Sequence, residues 1–417
     1  MPGTPHVLVI GAGSIGVNSA YFLAERGIKV TLLDKEDVCH GSSWGNSGLI
    51  VPSHSIPLAS PGVIWQGIRW MFNPNSPVYI RPRINRELWS WLWRFRAACT
   101  EDNLRKGSRI LRDLGEKSME LYDAFQDMGE FDFSFEKNGV VVLYSSEAGY
   151  RRGLEEVKLL RSLGLAAEDF DRAAVMKQLG DTETTAIAGT YFPGDAQLAP
   201  ADFVRGLARK AENIGVEIKT YTEVQGFERQ GRKVVGVRTN KGVMKADEIV
   251  LAAGSWSTGV AETLGLRLPI QPSKGYSVSY ERPSSSPKLP VMLSEPKTTV
   301  TPMGKMLRIG GALELAGMDL SINPRRVNAM LVAAKQFLPG INFDDLPHIC
   351  TWAGLRPTLP DGLPLLGRPK MFNNLTLATG HSMIGISTGP ASGMLVAQTV
   401  LGERPFMDIG MFDPDRY

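Results

Sequence analysis

The first patterned segment of the chain is a continuous apolar run, His6-Val-Leu-Val-Ile10. A run of that length bounded by glycine predicts a strand buried on both faces. Apolar residues then recur at helical spacing from Val17 to Ala24, and Gly27 supplies the stop. Lys29–Leu33 reads as a second buried strand. Residues 101–129 mix charges with Leu104, Ile110, Leu111, Leu114, Met119 and Leu121 at helical spacing, which predicts one or two helices. Gly139–Tyr144 predicts a strand, Glu147–Leu163 a helix closed by Gly164, and Pro200–Gly215 a helix with Asp202 in its first turn. Strands follow at 216–222, 232–239, 242–246 and 248–254. After Pro269, short stretches such as 276–280 and 307–310 alternate with Pro and Gly turns, as in an antiparallel sheet of a second domain. A helix at 328–338, a strand at 375–378 and a helix opened by Pro390 complete the pattern, with no internal repeat.

Composition adds bounds. The 417 residues are 43% apolar and 21% charged, which excludes a disordered or fibrous chain. That length predicts two or three domains. A net charge of +3 gives no reason to expect nucleic acid as a partner. Cys39, Cys99 and Cys350 are too far apart for a disulfide scaffold, a zinc site or a dithiol motif, and fit a reducing compartment. His6, His40, His54 and His348 show no metal spacing, so no metal is expected. No apolar stretch approaches the length of a membrane span. The motif that begins at His6 leaves no room for a cleavable signal peptide, so a cytoplasmic location is expected. Trp44, Trp65, Trp70, Trp89, Trp91 and Trp93 are six of the eight tryptophans. Arg69, Arg81, Arg83, Arg86, Arg94 and Arg96 are interleaved with them. Two readings stand: peripheral contact of the 60–96 segment with the cytoplasmic face of a membrane, or a domain core capped by charges.

Three segments carry candidate chemistry. Gly11-Ala-Gly13-Ser14-Ile15-Gly16 is G-x-G-x-x-G set between the first strand and the first helix. Gly11 permits the tight turn, Gly13 the approach of backbone to a pyrophosphate, and Gly16 close packing of helix on strand. The helix amino end then offers free N–H groups and a positive dipole end to phosphate. Asp34, 23 residues beyond Gly11 and followed by Lys35, stands where a carboxylate can bond a ribose hydroxyl. This predicts a dinucleotide site without separating NAD from FAD. The next segment, Gly41-Ser-Ser-Trp-Gly-Asn-Ser-Gly48-Leu-Ile-Val-Pro52, is a small, polar loop able to fit around a flat ring, or a plain surface loop. Last, Trp352-Ala-Gly-Leu-Arg356-Pro-Thr-Leu-Pro-Asp361-Gly leads through a short strand to Thr379-Gly380-His381-Ser-Met-Ile-Gly385-Ile-Ser-Thr388-Gly389. This is a second strand–loop–helix whose N–H groups can meet the electron-rich edge of a cofactor.

Together, GAGSIG, SSWGNSGLI, LAAGSWST, KGYS at 274–277, WAGLRPTLPDGLPLLG and TGHSMIGIST make the chain resemble the D-amino-acid oxidase superfamily of flavoproteins, closest to bacterial D-amino-acid dehydrogenases of the small-subunit type. The resemblance runs over the whole chain. It implies an α/β protein with a Rossmann-like FAD-binding domain and an interleaved substrate domain built on an antiparallel sheet. The FAD domain would comprise 1–80, 150–267 and 350–417, and the substrate domain 81–149 and 268–349. Gly11, Gly13, Ser14, Ile15 and Gly16 would hold the FAD pyrophosphate, with Asp34 and Lys35 on the adenosine side. Ser42, Ser43, Asn46, Gly48, Leu49 and Ile50 would line the flavin. Val224 would meet the adenine, Ala253 and Gly254 the phosphates. Gly380, Met383, Ile384, Gly385 and Ile386 would close on the isoalloxazine.

Arg356 falls where glycine oxidases bind the substrate carboxylate, and Arg is suited to a bidentate carboxylate. His381 and Tyr276 are further catalytic candidates, each open to a structural reading, and Lys274 reads as structural. Gly354 stands where the sarcosine oxidase branch carries the cysteine that binds flavin, so FAD is expected to be noncovalent. Thr298-Thr299-Val300 lacks the tyrosine that glycine oxidases place on this sheet. The implied reaction is oxidation of a D-amino acid to the imino acid, then hydrolysis to 2-oxo acid and ammonia. A hydride would pass from Cα to the flavin, and electrons would leave to a quinone or other carrier. Alternatives are an oxygen-using oxidase of glycine, sarcosine, or another secondary amine including proline and hydroxyproline, and a non-catalytic flavoprotein subunit.

Overall fold

The computed structural model describes residues 5–64, 76–81 and 85–417. His6–Ile10 lies inside a six-stranded sheet ordered Leu365–Gly367, Leu375–Thr379, Glu248–Leu251, His6–Ile10, Lys29–Leu33, Glu217–Lys219. All neighbours are parallel except the first pair. Both faces of the sheet are covered, which is why its strands read as unbroken apolar runs. Val7 and Val9 pack under the helices Ser14–Glu25, Pro200–Asn213 and Gly389–Leu401. Leu8 and Ile10 face Phe227, Val234 and Val237 of a three-stranded meander over 224–244, together with Ala261 of a short helix. This is the Rossmann-like half of the molecule.

A nine-stranded sheet forms the other half. One end of it is antiparallel, Gln271–Glu281 running between the edge strand His348–Thr358 and Met306–Leu315. The helix Pro324–Phe337 packs Met330, Ala334 and Phe337 on one face of it, against Tyr276, Val278 and Ile309. The helix expected over 101–129 is a single element, Glu101–Met128. The Thr100 hydroxyl accepts from Asn103 N–H at its start, and Gly129 ends it in the left-handed conformation that glycine adopts without penalty. Tyr122 of this helix donates to the Ile386 carbonyl at 2.6 Å, so the helix fastens the carboxyl-terminal loop.

Three expectations differ from what forms. Inside the 150–267 segment expected for the FAD domain, Glu168–Asp171 and Ala188–Phe192 form strands that pair in the nine-stranded sheet through Val140–Tyr144. The residues from His348 to Thr358, divided by the expected boundary at 350, form one long strand of that sheet. The strand expected over 216–222 stops at Lys219, because Tyr221 and Thr222 turn to donate to the carbonyls of Glu36 and Asp34. In the tryptophan-rich segment, the helix Arg86–Ala98 buries Leu88 and Trp91 against Leu315 and exposes Trp89 and Trp93 by 61% and 69%. Trp65, Trp70, Arg69 and Arg83 lie outside the described residues. Among the described residues, no helix is long and apolar enough to cross a membrane.

Candidate active site

Two helix amino ends meet beside the central strand. At the first, Gly11 takes a positive φ of 107°, and a Cβ there would stand 2.6 Å from the Ala252 carbonyl oxygen. A Cβ on Gly16 would lie 1.7 Å from the Gly11 carbonyl oxygen, so helix and turn touch backbone to backbone. At the second, a Cβ on Gly389 would reach 2.4 Å from Ser14 Oγ, itself a buried hydroxyl with no partner among the described residues. Neither helix has an acidic residue in its first turn. Ser43 Oγ accepts from the Ser14 N–H at 3.0 Å, tying the 41–48 loop to the first helix.

Asp34 follows the last residue of the second strand. Its carboxylate accepts from Ala12 N–H at 2.7 Å and Glu36 N–H at 2.9 Å. Burial raises its pKa, against the lowering by those amides and Lys35. Val224 begins the meander strand that follows Thr222, whose N–H donates to the Asp34 carbonyl. Lys35 lies over the Trp256 ring at 4.7 Å, next to Gly254 and Ala253 at the end of the Glu248–Leu251 strand.

The 41–48 loop spans from this turn to the nine-stranded sheet. Ser42 Oγ donates to the Leu355 carbonyl at 2.5 Å, and Ser255 Oγ donates to the same oxygen at 2.9 Å. Asn46 holds the loop from within, accepting from Gly48 N–H at 2.9 Å, and its amide approaches the Met383 carbonyl at 3.4 Å. Leu49–Ile50 pairs with Ala196–Gln197. Gly13, Ser42, Ser43, Asn46, Met383, Ile384, Gly385 and Arg356 all stay partly exposed, though each sits beside buried residues. Loop, helix ends and arginine therefore each keep surface that a bound group could meet. The amide-rich turns, the touching glycines, the unpartnered Ser14 hydroxyl and Asp34 fit a dinucleotide with an extended ring system.

Arg356 belongs to the long strand His348–Thr358, opposite Ser273. Its guanidinium lies flat over Gly275, where a Cβ would stand 2.2 Å from Nη2. Nη1 donates to the Ala312 carbonyl at 2.8 Å. Among the described residues it has no carboxylate partner. Desolvation lowers its pKa to about 10, with no other cause acting. A cation held this way is stabilised by an incoming carboxylate.

The remaining candidates separate from this group. Tyr276 is opposite Ala353, and the unbroken register puts its side chain on the other face of the sheet from Arg356. There it donates to Glu314 Oε2 at 2.7 Å. Lys274 shares that face, bonded to Asp319 at 3.0 Å and to the Ser321 carbonyl at 3.0 Å. His381 shares a hydrogen bond with Ser392 Oγ at 3.0 Å, and burial pushes its pKa down to about 3, so it is neutral. Its ring joins the loop to the helix Gly389–Leu401, while Gly380 and Ile386 are buried around it.

Sequence reasoning missed Arg308. Its Nη1 donates to the carbonyls of Trp44 at 3.0 Å and Asn46 at 2.9 Å, and Nε donates to Ser279 Oγ at 3.0 Å. The available signal was a lone charge inside the apolar run Met306-Leu-Arg-Ile-Gly310.

Comparison with known proteins agrees with this geometry. The family described as DAO, FAD dependent oxidoreductase, matches residues 6–399. A D-amino acid dehydrogenase of Granulibacter bethesdensis is 32% identical over 408 residues, covering 96% of this chain and 97% of that protein. A D-amino acid dehydrogenase of Bradyrhizobium diazoefficiens is 31% identical over 418 residues, covering 99% and 98%. Among solved structures, glycine oxidase from Bacillus cereus superposes with a TM-score of 0.77 at 22% identity, covering 98% of this chain and 97% of that one. The chain belongs to the DAO family of FAD-dependent oxidoreductases.

Proposed function

We propose that the chain oxidises D-amino acids to their imino acids and passes the electrons to a quinone or another carrier rather than to oxygen. The full-length likeness to two D-amino acid dehydrogenases supports the substrate class and the acceptor type. The observation that carries the site is Arg356, desolvated and without a carboxylate partner among the described residues. Its fork takes the substrate carboxylate, which orients Cα toward the opening lined by Asn46 and Met383–Gly385. FAD, when bound, supplies the two-electron acceptor for the hydride from Cα. Gly11–Gly16 with Ser14 and Ile15 hold the pyrophosphate. Asp34, Lys35 and Val224 flank the adenosine, and Ala253 and Gly254 stand by the phosphates. Ser42, Ser43, Asn46, Gly48–Ile50, Gly380 and Met383–Ile386 surround the ring. With Gly354 at the position of the flavin-binding cysteine, FAD is held noncovalently. His381 stays neutral and keeps the loop in shape through Ser392. The six-stranded sheet with its helices forms the cofactor domain, and the nine-stranded sheet the substrate domain.

The test is anaerobic bleaching of the flavin absorbance by D-alanine, D-proline, hydroxyproline isomers, glycine and sarcosine, with L-alanine and L-proline as counterparts. D-amino acids are expected to bleach it. Bleaching by glycine and sarcosine alone would move the reading to an amine oxidase, and bleaching by none would end it. Dye reduction with little peroxide in air is the expected acceptor result.

We also assign the exposed Trp89 and Trp93 a peripheral contact with anionic membrane surface, with Arg86, Arg94 and Arg96 exposed beside them. Cosedimentation with anionic vesicles, reduced in Trp89→Ser/Trp93→Ser, is expected. Equal recovery of both proteins in the supernatant would remove the assignment.

A further inference from the structure

The strand Met306–Leu315 carries one extra residue exactly where it matters for Arg356's neighbourhood: Tyr276 is opposite Gly311 and Lys274 opposite Glu314, so Ala312 and Leu313 together face Gly275. This is a β-bulge. Ala312 within it takes a positive φ of 58°, a conformation that a residue with a Cβ holds only when its surroundings impose it. The Ala312 carbonyl is the acceptor for Arg356 Nη1, and Gly275 is the residue over which that guanidinium lies. The bulge therefore sets where the arginine points.

Side chains on the far face of the sheet hold the bulge closed. Tyr276 flanks it on one strand and Glu314 on the other, and the phenol donates diagonally across it to Glu314 Oε2 at 2.7 Å. Lys274, directly opposite Glu314, stands 4.0 Å from its carboxylate and 3.0 Å from Asp319. Lys274, Tyr276 and Glu314 are each at most 5% exposed. At that depth a hydrogen bond to a carboxylate is strong, and its loss leaves a buried charge unpaired. We propose that Tyr276 and Glu314, with Lys274 behind them, are positioning residues that act through the Ala312 carbonyl to aim Arg356 at the substrate carboxylate.

The proposal rests on the reading of Arg356 as the carboxylate site, and the test separates the two. Propionate, which has the carboxylate of D-alanine but no amine to oxidise, is titrated into the holoenzyme by the change in flavin absorbance. The variants are Tyr276→Phe, Glu314→Gln and Arg356→Lys. Tyr276→Phe removes one hydroxyl and keeps the ring, so it serves even where Glu314→Gln fails to fold. Tyr276→Phe is expected to weaken propionate about 10- to 100-fold, the scale of a misplaced binding group. The KM for D-alanine rises in step, while the flavin reduction rate at saturating substrate and the FAD content stay near those of the parent. Ala312→Gly in the Tyr276→Phe background is expected to recover part of the affinity, because glycine accepts the bulge conformation without support. If Arg356→Lys weakens propionate and Tyr276→Phe does not, the positioning role is overturned and the carboxylate site stands. If Arg356→Lys leaves propionate binding unchanged, or the parent binds none, both fall.

Discussion

Lys274 and Arg356 lie on adjacent strands of one sheet, Lys274 opposite Leu355 and Arg356 opposite Ser273, so their side chains leave opposite faces. Lys274 is withdrawn from water, whereas Arg356 keeps part of its surface exposed. Lys274 is 1% exposed and is met by Asp319, the Ser321 carbonyl and Glu314. Arg356 has the Ala312 carbonyl and, among the described residues, no carboxylate. The lysine face is closed by the helix Pro324–Phe337, which packs Met330 in one core with Val278 and Ile309. The arginine face bears Ser273, Gly275, Ser277 and Gly354, small residues turned toward the 41–48 loop. A buried charge whose partners come from the same chain contributes to the fold. A desolvated charge without them is completed by something that binds.

The largest expected effect divides the two by function. Arg356→Met should cost about 2–5 kcal/mol of substrate recognition, as for loss of one partner of a hydrogen-bonded charge pair, a fall of roughly 30- to several-thousand-fold in kcat/KM. The thermal stability of the ligand-free protein should stay level or rise slightly, because an uncompensated cation has gone. Lys274→Met should act first on stability. It leaves Glu314 and Asp319 without their cation and lowers unfolding free energy by about 3–5 kcal/mol in denaturant titration. If Arg356→Met is the one that unfolds, the division is wrong.

Arg356→Lys comes next. It keeps the charge but loses the fork, so kcat/KM should fall about 10- to 100-fold, consistent with about 1.5–3 kcal/mol for a charge-assisted hydrogen bond. Equal kinetics would show that charge alone suffices there. Gly275→Ala places a methyl group against the guanidinium and should raise KM while leaving FAD content as in the parent. Loss of FAD in that variant would mean that the strand, and not the arginine, had moved.

The smallest effect concerns a buried carboxyl group. Asp195 is 2% exposed, with its carboxylate bonded to the N–H and hydroxyl of Ser53, and burial raises its pKa to about 7. A folded pKa above the usual 3.8 means that the folded protein holds the proton more tightly than the unfolded chain. The stability this adds is full below pH 3.8 and is lost as pH rises through about 7. Asp195→Asn should therefore flatten the fall of Tm between acid and neutral pH. An unchanged pH profile would show Asp195 ionised in the folded protein. A carboxyl can meet burial by taking a proton, an option closed to a guanidinium. That is why unpartnered burial points to a ligand at Arg356 and carries no such meaning at Asp195.

The nucleotide half was legible in the sequence because its determinants are local. The glycines at 11, 13 and 16, the flanking apolar runs and Asp34 act over one strand–helix–strand unit, and the structure joins them as their spacing requires. The carboxyl-terminal loop was legible for the same reason. The strands Glu168–Asp171 and Ala188–Phe192 were not, since their sheet is chosen by pairing with Val140–Tyr144. Nor could spacing show that Tyr276 turns from Arg356, or that Arg308 holds the 41–48 loop.

By itself, then, the sequence determined that this protein builds a dinucleotide turn, a glycine-rich loop and an arginine in a Pro- and Gly-rich context. Tertiary structure decided which charges find partners. Strand register sets the face on which each side chain emerges, and partners for Lys274 and Arg356 come from residues 40 or more positions away in sequence.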